Sequence, residues 1–264
     1  MRQSNTSDAK QYILDRVEAE TSYHNNLYDL IDKYASSLAD LSYNSGIQPN
    51  SFSFSHGNIK VDVDKLIARL EDELIDYIDT LAVARHMDDK DDILAYIHAT
   101  YNNDTLDDII HSHTDHWKKE VEASIAAALL TSIAKDRLIA SLKEYRTNTW
   151  RNPILLSARK AAHTNSNVKW LYSNPKTSVG NSNIGVYLLD AYGQFMVAMG
   201  WTKYFYDDAI KNGAIAFKVI RGSSYDCPIC DYECSYIHYD ISTLPPYHSH
   251  CVCVPIPIYD ISEI

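Results

Sequence analysis

The sequence predicts a mainly α-helical protein that ends in a small β unit containing every cysteine of the chain. Apolar residues recur at helical spacing through most of the first 150 residues. All five cysteines of the 264-residue chain fall between Cys227 and Cys253. Two β-prone segments, 214–220 and 251–258, bracket them. We therefore expect a helical body followed by a compact C-terminal unit spanning residues 214–258.

The first part of the chain predicts two helices separated by a short break. Ser7 or Asp8 can cap a helix that ends near residue 23, and a second helix should run over residues 26–43. The Asn44–Gly46 segment supplies the turn chemistry that would end the second helix.

Three more helices are predicted before residue 150. Residues 47–60 are polar and predict a loop that can hold one short strand. An apolar stripe at i, i+3 and i+4 spacing follows over residues 64–82, and residues 91–101 repeat it briefly. The longest predicted helix is an alanine-rich segment at 114–145, because alanine and leucine are strong helix formers.

A domain boundary is expected near residues 147–153, where polar residues lead into Asn152–Pro153. It would separate an acidic helical domain, residues 1–150, from a C-terminal domain, residues 151–264. The second domain should begin with a short helix at 154–163.

A polar linker over residues 164–183 is expected to follow, and then a helix over residues 186–199. Gly200 suits the C-terminal cap of that helix. Gly193, inside the helix, is expected to permit close packing against a neighbouring element.

Charge and composition narrow the function classes. The formal net charge is −11, from 35 acidic and 24 basic residues, and residues 222–264 contain neither lysine nor arginine. Such a chain repels phosphate at long range, so strong nucleic-acid binding is not expected. Twenty tyrosines against five phenylalanines fit half-buried packing, and tyrosine is also enriched at protein interfaces.

The sequence shows no apolar run of the length that a membrane span needs, so no membrane association is expected. The first eight residues lack the apolar core of a secretory signal. We therefore expect reduced thiols that bind a metal rather than disulfides.

The cysteine spacing predicts a structural zinc site. Cys227 and Cys230 form a C-x2-C pair, and seventeen residues later a His248-x2-Cys251 pair can complete a tetrahedron. Cys253 competes with Cys251 for the fourth position. His250 and Cys234 are weaker alternatives. Four protein ligands would make the zinc structural, because a catalytic zinc keeps one position open.

A histidine cluster at residues 111–116 is a weaker candidate. His113 and His116 are three residues apart and Asp115 lies between them, yet solvated residues near a helix start explain the pattern equally well. The chain contains no H-E-x-x-H, G-x-S-x-G, Walker or G-x-G-x-x-G motif, so no enzymatic activity is expected.

The C-terminal segment resembles the tail of phage head-morphogenesis proteins, the minor head proteins similar to the Mu F and SPP1 gene 7 products. The resemblance covers a strand at 214–220, the pair Cys227 and Cys230, and the segment Leu244-Pro-Pro-Tyr-His-Ser-His-Cys-Val-Cys253. Ser249 and Val252 stand where the family carries proline and arginine. A looser match lies at residues 157–164.

The resemblance implies a role in virion assembly. A minor head protein would lie inside the head and dock on portal or capsid proteins, after assembly in the host cytoplasm, and it would also be able to self-associate. The alternative from another class is a zinc-dependent hydrolase or nuclease, or a phage-derived toxin, that uses His248 or His250 beside the metal.

Overall fold

The computed structural model describes residues 6–99, 104–145 and 185–263. These residues form long helices and one small three-stranded antiparallel sheet at the C-terminal end, with a Cys/His cluster nearby, and this confirms the predicted fold class. The helices are α1 (Thr6–Tyr43), α2 (Lys60–Ala82), α3 (Lys90–Ile97), α4 (Leu106–Leu130), α5 (Lys135–Tyr145), α6 (Gly185–Lys211) and α7 (Pro228–Glu233). The strands are β1 (Ala216–Ile220), β2 (Ile237–His238) and β3 (Val254–Ile258).

The described residues belong to two compact units, each built from separate stretches of the chain. The first unit takes its residues from Met1–Asn25, Asp76–Leu106 and Ala191–Ile264, and the second from Asn26–Ile75 and Asp107–Asp190. The predicted helix at 154–163, the linker at 164–183, the family match at 157–164 and the boundary near residue 150 lie outside the described residues. The division into 1–150 and 151–264 therefore stays a prediction.

The N-terminal segment forms one helix, so the predicted break near residue 24 is wrong. Asn25 and Asn26 lower helix propensity by only tenths of a kcal/mol each, and neither glycine nor proline interrupts the segment. Tyr23, Leu27 and Ile31 are four residues apart and buried, so one continuous apolar stripe outweighs the two asparagines. The helix ends at Tyr43, and Gly46 follows with a φ of +68°, as the turn chemistry predicts.

The helices predicted at 64–82 and 91–101 are present as α2 and α3. The loop before α2 contains a 3-10 turn at Pro49–Ser51 and no strand within residues 47–59. Phe52 and Phe54 are buried there, with their rings 5.9 Å apart. Aromatic anchoring therefore orders a segment that is otherwise polar.

The predicted helix at 114–145 is two helices, because the chain turns at Ser132. Ser132 has a φ of +55°, and the N–H of Ile133 donates to the carbonyl of Ala128 at 2.9 Å. The N–H of Ser132 donates to Leu129 at 3.2 Å, which completes a Schellman C-cap. The usual glycine is absent, so the sequence carries no signal for this break.

The prediction that Gly200 ends its helix is also wrong, since α6 continues to Lys211. A Cβ at Gly200 would lie 2.6 Å from the Cβ of Ala82, so the glycine permits close approach to α2. The helix is terminated instead by Gly213, which has a φ of +92°. The N–H of Ala214 donates to Ala209 at 2.9 Å in a second Schellman cap.

The predicted close packing at Gly193 is confirmed. A Cβ there would lie 2.0 Å from the ring of Tyr23, which is fully buried in the first unit. In the same unit Trp201 donates from Nε1 to the carbonyl of Leu81 at 2.9 Å. Helix α6 is thus fixed against both α1 and α2 by contacts that larger side chains would prevent.

A buried carboxyl group holds the start of α6 in the second unit. Glu120 Oε2 accepts a hydrogen bond from the N–H of Gly185 at 3.1 Å, and burial raises the pKa of Glu120 to about 8. A Cβ at Gly185 would lie 2.6 Å from the Cα of Trp117. The close approach to Trp117 therefore leaves no room for a side chain at position 185.

The sheet has the strand order β2–β1–β3, and both pairings are antiparallel. The register with β3 runs from Ala216 opposite Ile258 to Ile220 opposite Val254. The N–H of Ile215 donates to the carbonyl of Ile258 at 2.8 Å, so the backbone of Ile258 faces β1. Since backbone groups alternate along a strand, Pro255 and Pro257 face away from β1.

None of the helices in the described ranges combines the length and apolarity that a membrane crossing needs.

Candidate metal centre

The sheet brings the two cysteine segments to the same end of the first unit. Ile220, the last residue of β1, pairs with Val254, the first residue of β3. The chain that leaves β1 therefore starts beside the chain that enters β3, although 33 residues lie between Ile220 and Val254 in the sequence. Cys227 follows β1, and Cys251 and Cys253 precede β3. The pairing of these two strands therefore positions both cysteine segments.

A glycine seats one loop against the other. A Cβ at Gly222 would lie 1.7 Å from the carbonyl oxygen of Val252. No other residue fits there without moving the backbone. Because Val252 lies between Cys251 and Cys253, this contact fixes the loop after β1 against the later pair of thiols.

The C-x2-C pair lies at the start of a short helix. Cys227 has an extended backbone at the N-cap of α7, and Pro228 occupies the first helical position. Cys230 lies in the first turn and is 3% exposed. Arg221 anchors this segment through its hydrogen bonds to the carboxylate of Asp231 and the carbonyl of Tyr225. Pro228 therefore sets the backbone that holds both thiols.

A tight turn positions the second pair. The N–H of Cys251 donates to the carbonyl of His248 at 3.1 Å, and His250 adopts a φ of +61°. The backbone before the turn is also fixed, since Thr202 Oγ1 donates to the carbonyl of Pro245 at 2.7 Å. The Pro245–Pro246 bond is cis. His248 and Cys251 thus belong to a braced turn.

Three interatomic distances among these donors lie near the edge lengths of a zinc tetrahedron. His248 Nε2 lies 3.3 Å from Cys227 Sγ and 3.1 Å from Cys230 Sγ. Cys230 Sγ lies 3.9 Å from Cys251 Sγ. Usual zinc bond lengths give edges of about 3.6 Å between sulfur and nitrogen and about 3.8 Å between two sulfurs. These residues therefore fit a small tetrahedral ion.

A hydrogen bond orients the imidazole of His248. Nδ1 lies 2.8 Å from the carbonyl oxygen of Ser249, so Nδ1 carries the proton and donates it to that oxygen. Nε2 then presents a lone pair to the two thiols. This tautomer is the one that a metal-binding histidine needs.

Two overlapping sets of ligand atoms form the centre. Cys227, Cys230 and His248 make one set, and Cys230, Cys251 and Cys253 make the other, with the atoms in each set within 4.8 Å of one another. Cys230 is common to both. The structure thus brings together all five sequence-predicted residues as groups able to bind a metal.

The thiols differ in acidity. Hydrogen bonding from the backbone N–H of Cys230 lowers the pKa of Cys227 to about 7, whereas burial raises the pKa of Cys230 to about 12. Burial alone would lower the pKa of His248, but hydrogen bonding to Ser249 and the nearby Cys251 and Cys227 raise it overall. Within the C-x2-C pair, Cys227 therefore ionises more readily than Cys230.

Sequence reasoning missed a fully buried arginine beneath the centre. Arg16 Nη2 donates to the carbonyl of Cys251 at 2.6 Å, and Nη1 lies 3.5 Å from the carbonyl oxygen of Cys253. Its Nε forms a buried ion pair with Glu20 Oε1 at 2.9 Å. A lone arginine in a helix 235 positions before Cys251 gives no sequence signal for this role.

The alternative ligands have different positions. His250 is exposed and belongs to neither set, whereas Cys234 is half-buried and packs against the core that contains the other cysteines.

The histidine cluster lies on α4 in the second unit. There His111 contacts Glu71 at 3.0 Å and His116 lies 3.7 Å from Glu120. Among the residues that the structure describes, this cluster forms no metal-binding set.

No protein-family model matches the sequence, and neither a curated protein nor a solved structure shows significant similarity to it.

Proposed function

We propose that this chain is a phage minor head protein whose C-terminal unit is held together by a structural zinc ion. The observation that carries this proposal is the convergence of the C-x2-C pair and the H-x2-C-x-C segment on one point. The same segments carry the resemblance to head-morphogenesis proteins. The fold around them supports a structural rather than a catalytic metal.

Zinc is the ion that this donor set favours. Thiolate and imidazole ligands in tetrahedral spacing suit Zn²⁺, whereas hard cations such as Mg²⁺ require oxygen ligands. Cys230, Cys251 and Cys253 are each 2–3% exposed and belong to the hydrophobic core of the unit. The C-terminal unit is too short to bury a large apolar core of its own. The binding free energy of a buried metal would supply folding free energy in its place.

An exposed apolar surface on α7 and the turn after it supports docking to another protein. The aromatic patch comprises Ile229, Tyr232 and Tyr236, which are 52%, 61% and 49% exposed. Ile229 and Tyr232 are three residues apart on α7, and the rings of Tyr232 and Tyr236 lie 4.8 Å apart. Tyrosine-rich surfaces of this kind are typical of protein interfaces.

Charge favours a basic partner. Acidic residues such as Asp226 and Glu233 accompany the patch, while residues 222–264 contain no lysine or arginine. A portal or inner capsid surface with apolar and basic groups would complement it, and an acidic or phosphate-rich surface would not. We place the protein inside the head, in contact with such a surface.

Co-expression with the portal protein and with the major capsid protein encoded in the same genome tests this proposal. We expect a stable complex with one of them, with cross-links that map to residues 226–239. Tyr232→Ser and Tyr236→Ser should weaken the complex, whereas Tyr77→Ser, which alters an exposed tyrosine on α2, should not.

The enzymatic alternative makes a different prediction. A zinc-dependent hydrolase, nuclease or toxin would hydrolyse nucleic acid or peptide, and His250→Ala would abolish turnover while folding and metal content remain. Such activity, together with no binding to either head protein, would overturn the assembly role.

A further inference from the structure

More soft ligands meet in the C-terminal unit than one tetrahedral ion can use. Its six donors are Cys227, Cys230, Cys234, His248, Cys251 and Cys253. Cys234 packs against the core that contains Cys230, Cys251 and Cys253. A zinc ion takes four ligands. A single ion would leave two thiols unused beside it, inside the core of the unit.

The arrangement of these donors is that of two adjacent sites that meet at Cys230. The two ligand sets have only Cys230 in common, and Cys251 Sγ lies 3.9 Å from Cys230 Sγ. Cys227 and His248 lie near Cys230 in the first set, Cys251 and Cys253 lie near it in the second, and Cys234 packs against the same core. A thiolate sulfur has several lone pairs, so it can bind two ions at once.

We propose that the C-terminal unit binds two divalent zinc-like ions in one thiolate cluster bridged by Cys230 and Cys251. Cys227 and His248 complete the first ion, and Cys253 and Cys234 complete the second. The first ion is the structural metal of the proposed function, on which this inference rests. When the second ion binds, the S–H bonds of Cys253 and Cys234 break, sulfur–metal bonds form, and the two protons pass to solvent.

The charge balance of the cluster is favourable. Five thiolates and two divalent ions carry a net charge of −1, which is no more than one ion with three thiolates and one imidazole would carry. The Arg16 guanidinium lies against the carbonyl oxygens of Cys251 and Cys253 and offsets that charge from within the core. Burial of a second ion therefore adds no net charge to the unit.

Metal counting on the full chain tests the proposal. The protein is loaded with Zn²⁺, dialysed against a weak chelator and measured by native mass spectrometry. We expect two ions per chain in the unaltered protein and one in Cys253→Ser, with the fold retained by circular dichroism. Cys234→Ser should lower the affinity for the second ion at least tenfold. Ser235→Ala, an exposed neighbour, serves as the matched control and should retain both ions.

Substitution with ¹¹³Cd adds a readout of the bridge. Two cadmium resonances that are coupled to each other would show that one sulfur binds both ions. One ion per chain, unchanged in Cys253→Ser and Cys234→Ser, would overturn the cluster and leave the single structural metal. A folded chain that binds no ion would overturn the structural metal as well.

Discussion

Arg16 Nη2 donates a hydrogen bond to the carbonyl oxygen of Cys251 at 2.6 Å, which joins the first helix to the metal centre within one unit. The guanidinium is fully buried and also lies 2.9 Å from the Glu20 carboxylate. A backbone carbonyl buried in the core needs a hydrogen-bond donor. Here a side chain from α1 takes that role, so the loop conformation at the centre depends on a residue near the start of the chain.

Replacement of Arg16 should therefore destabilise the first unit. Arg16→Ala leaves Glu20 and two carbonyl groups buried without their partner, and we expect a loss of about 3–5 kcal/mol in the free energy of unfolding. Arg16→Lys keeps the charge but cannot reach both carbonyls, so it should recover only part of the loss. Chemical denaturation measures both values.

Arg85→Ala is the matched control for Arg16. Arg85 is half exposed and contacts Asp15 and Glu18, which lie on α1 beside Arg16. Surface ion pairs contribute less than about 1 kcal/mol. An equal loss in the two variants would show that Arg16 has no special role beneath the centre.

Metal removal should loosen the C-terminal unit selectively. Chelation leaves several thiols of the core without the ion that joins them, so we expect amide hydrogen exchange within residues 214–258 to accelerate about 100-fold, which corresponds to about 3 kcal/mol. Amides of α2 should exchange at their original rate. Uniform acceleration across the chain, or none, would contradict a local structural metal.

Gly222→Ala should weaken metal binding without a change in any ligand. Its Cβ would lie 1.7 Å from the carbonyl oxygen of Val252, so the two loops must separate and the cysteine pairs with them. We expect at least a tenfold loss of zinc affinity in a competition titration with a chromogenic chelator. Gly57→Ala is the control, because nothing lies within 4 Å of a Cβ at that position.

Glu120 should make the stability of the second unit depend on pH. Burial raises its folded pKa from 4.5 to about 8, so the folded chain retains a proton that the unfolded chain releases. Its stabilising contribution is full below about pH 4.5 and is lost as the pH rises towards 8, by about 5 kcal/mol. Glu120→Gln should flatten this dependence in denaturation curves recorded between pH 5 and pH 8.

The control for Glu120 is Asp115→Asn on the same helix. Asp115 is 44% exposed and forms an ion pair with Lys119, so its removal should change stability by less than about 1 kcal/mol. A Glu120→Gln protein with the same pH profile as the unaltered chain would contradict the raised pKa.

The sequence predicted the parts of the molecule that depend on local spacing. The stripe of α2, the turn at Gly46 and the convergence of the cysteine segments all follow from periodicity or from ligand spacing within short windows. Predictions about helix ends were wrong at Ser132, where a residue other than glycine forms the C-cap, and at Gly200, where long-range packing against Ala82 decided the outcome. Arg16 was missed for the same reason, since its partner carbonyls are remote in sequence.

The two prolines of β3 have a consequence for association. Pro255 and Pro257 face away from β1, so the outer edge of this terminal strand lacks the N–H donors of those two positions. An extended segment from another molecule would find too few donors there to continue the sheet. Many copies can therefore be concentrated together without strand-to-strand polymerisation along that edge, and any assembly of this unit through β3 must rely on its side chains.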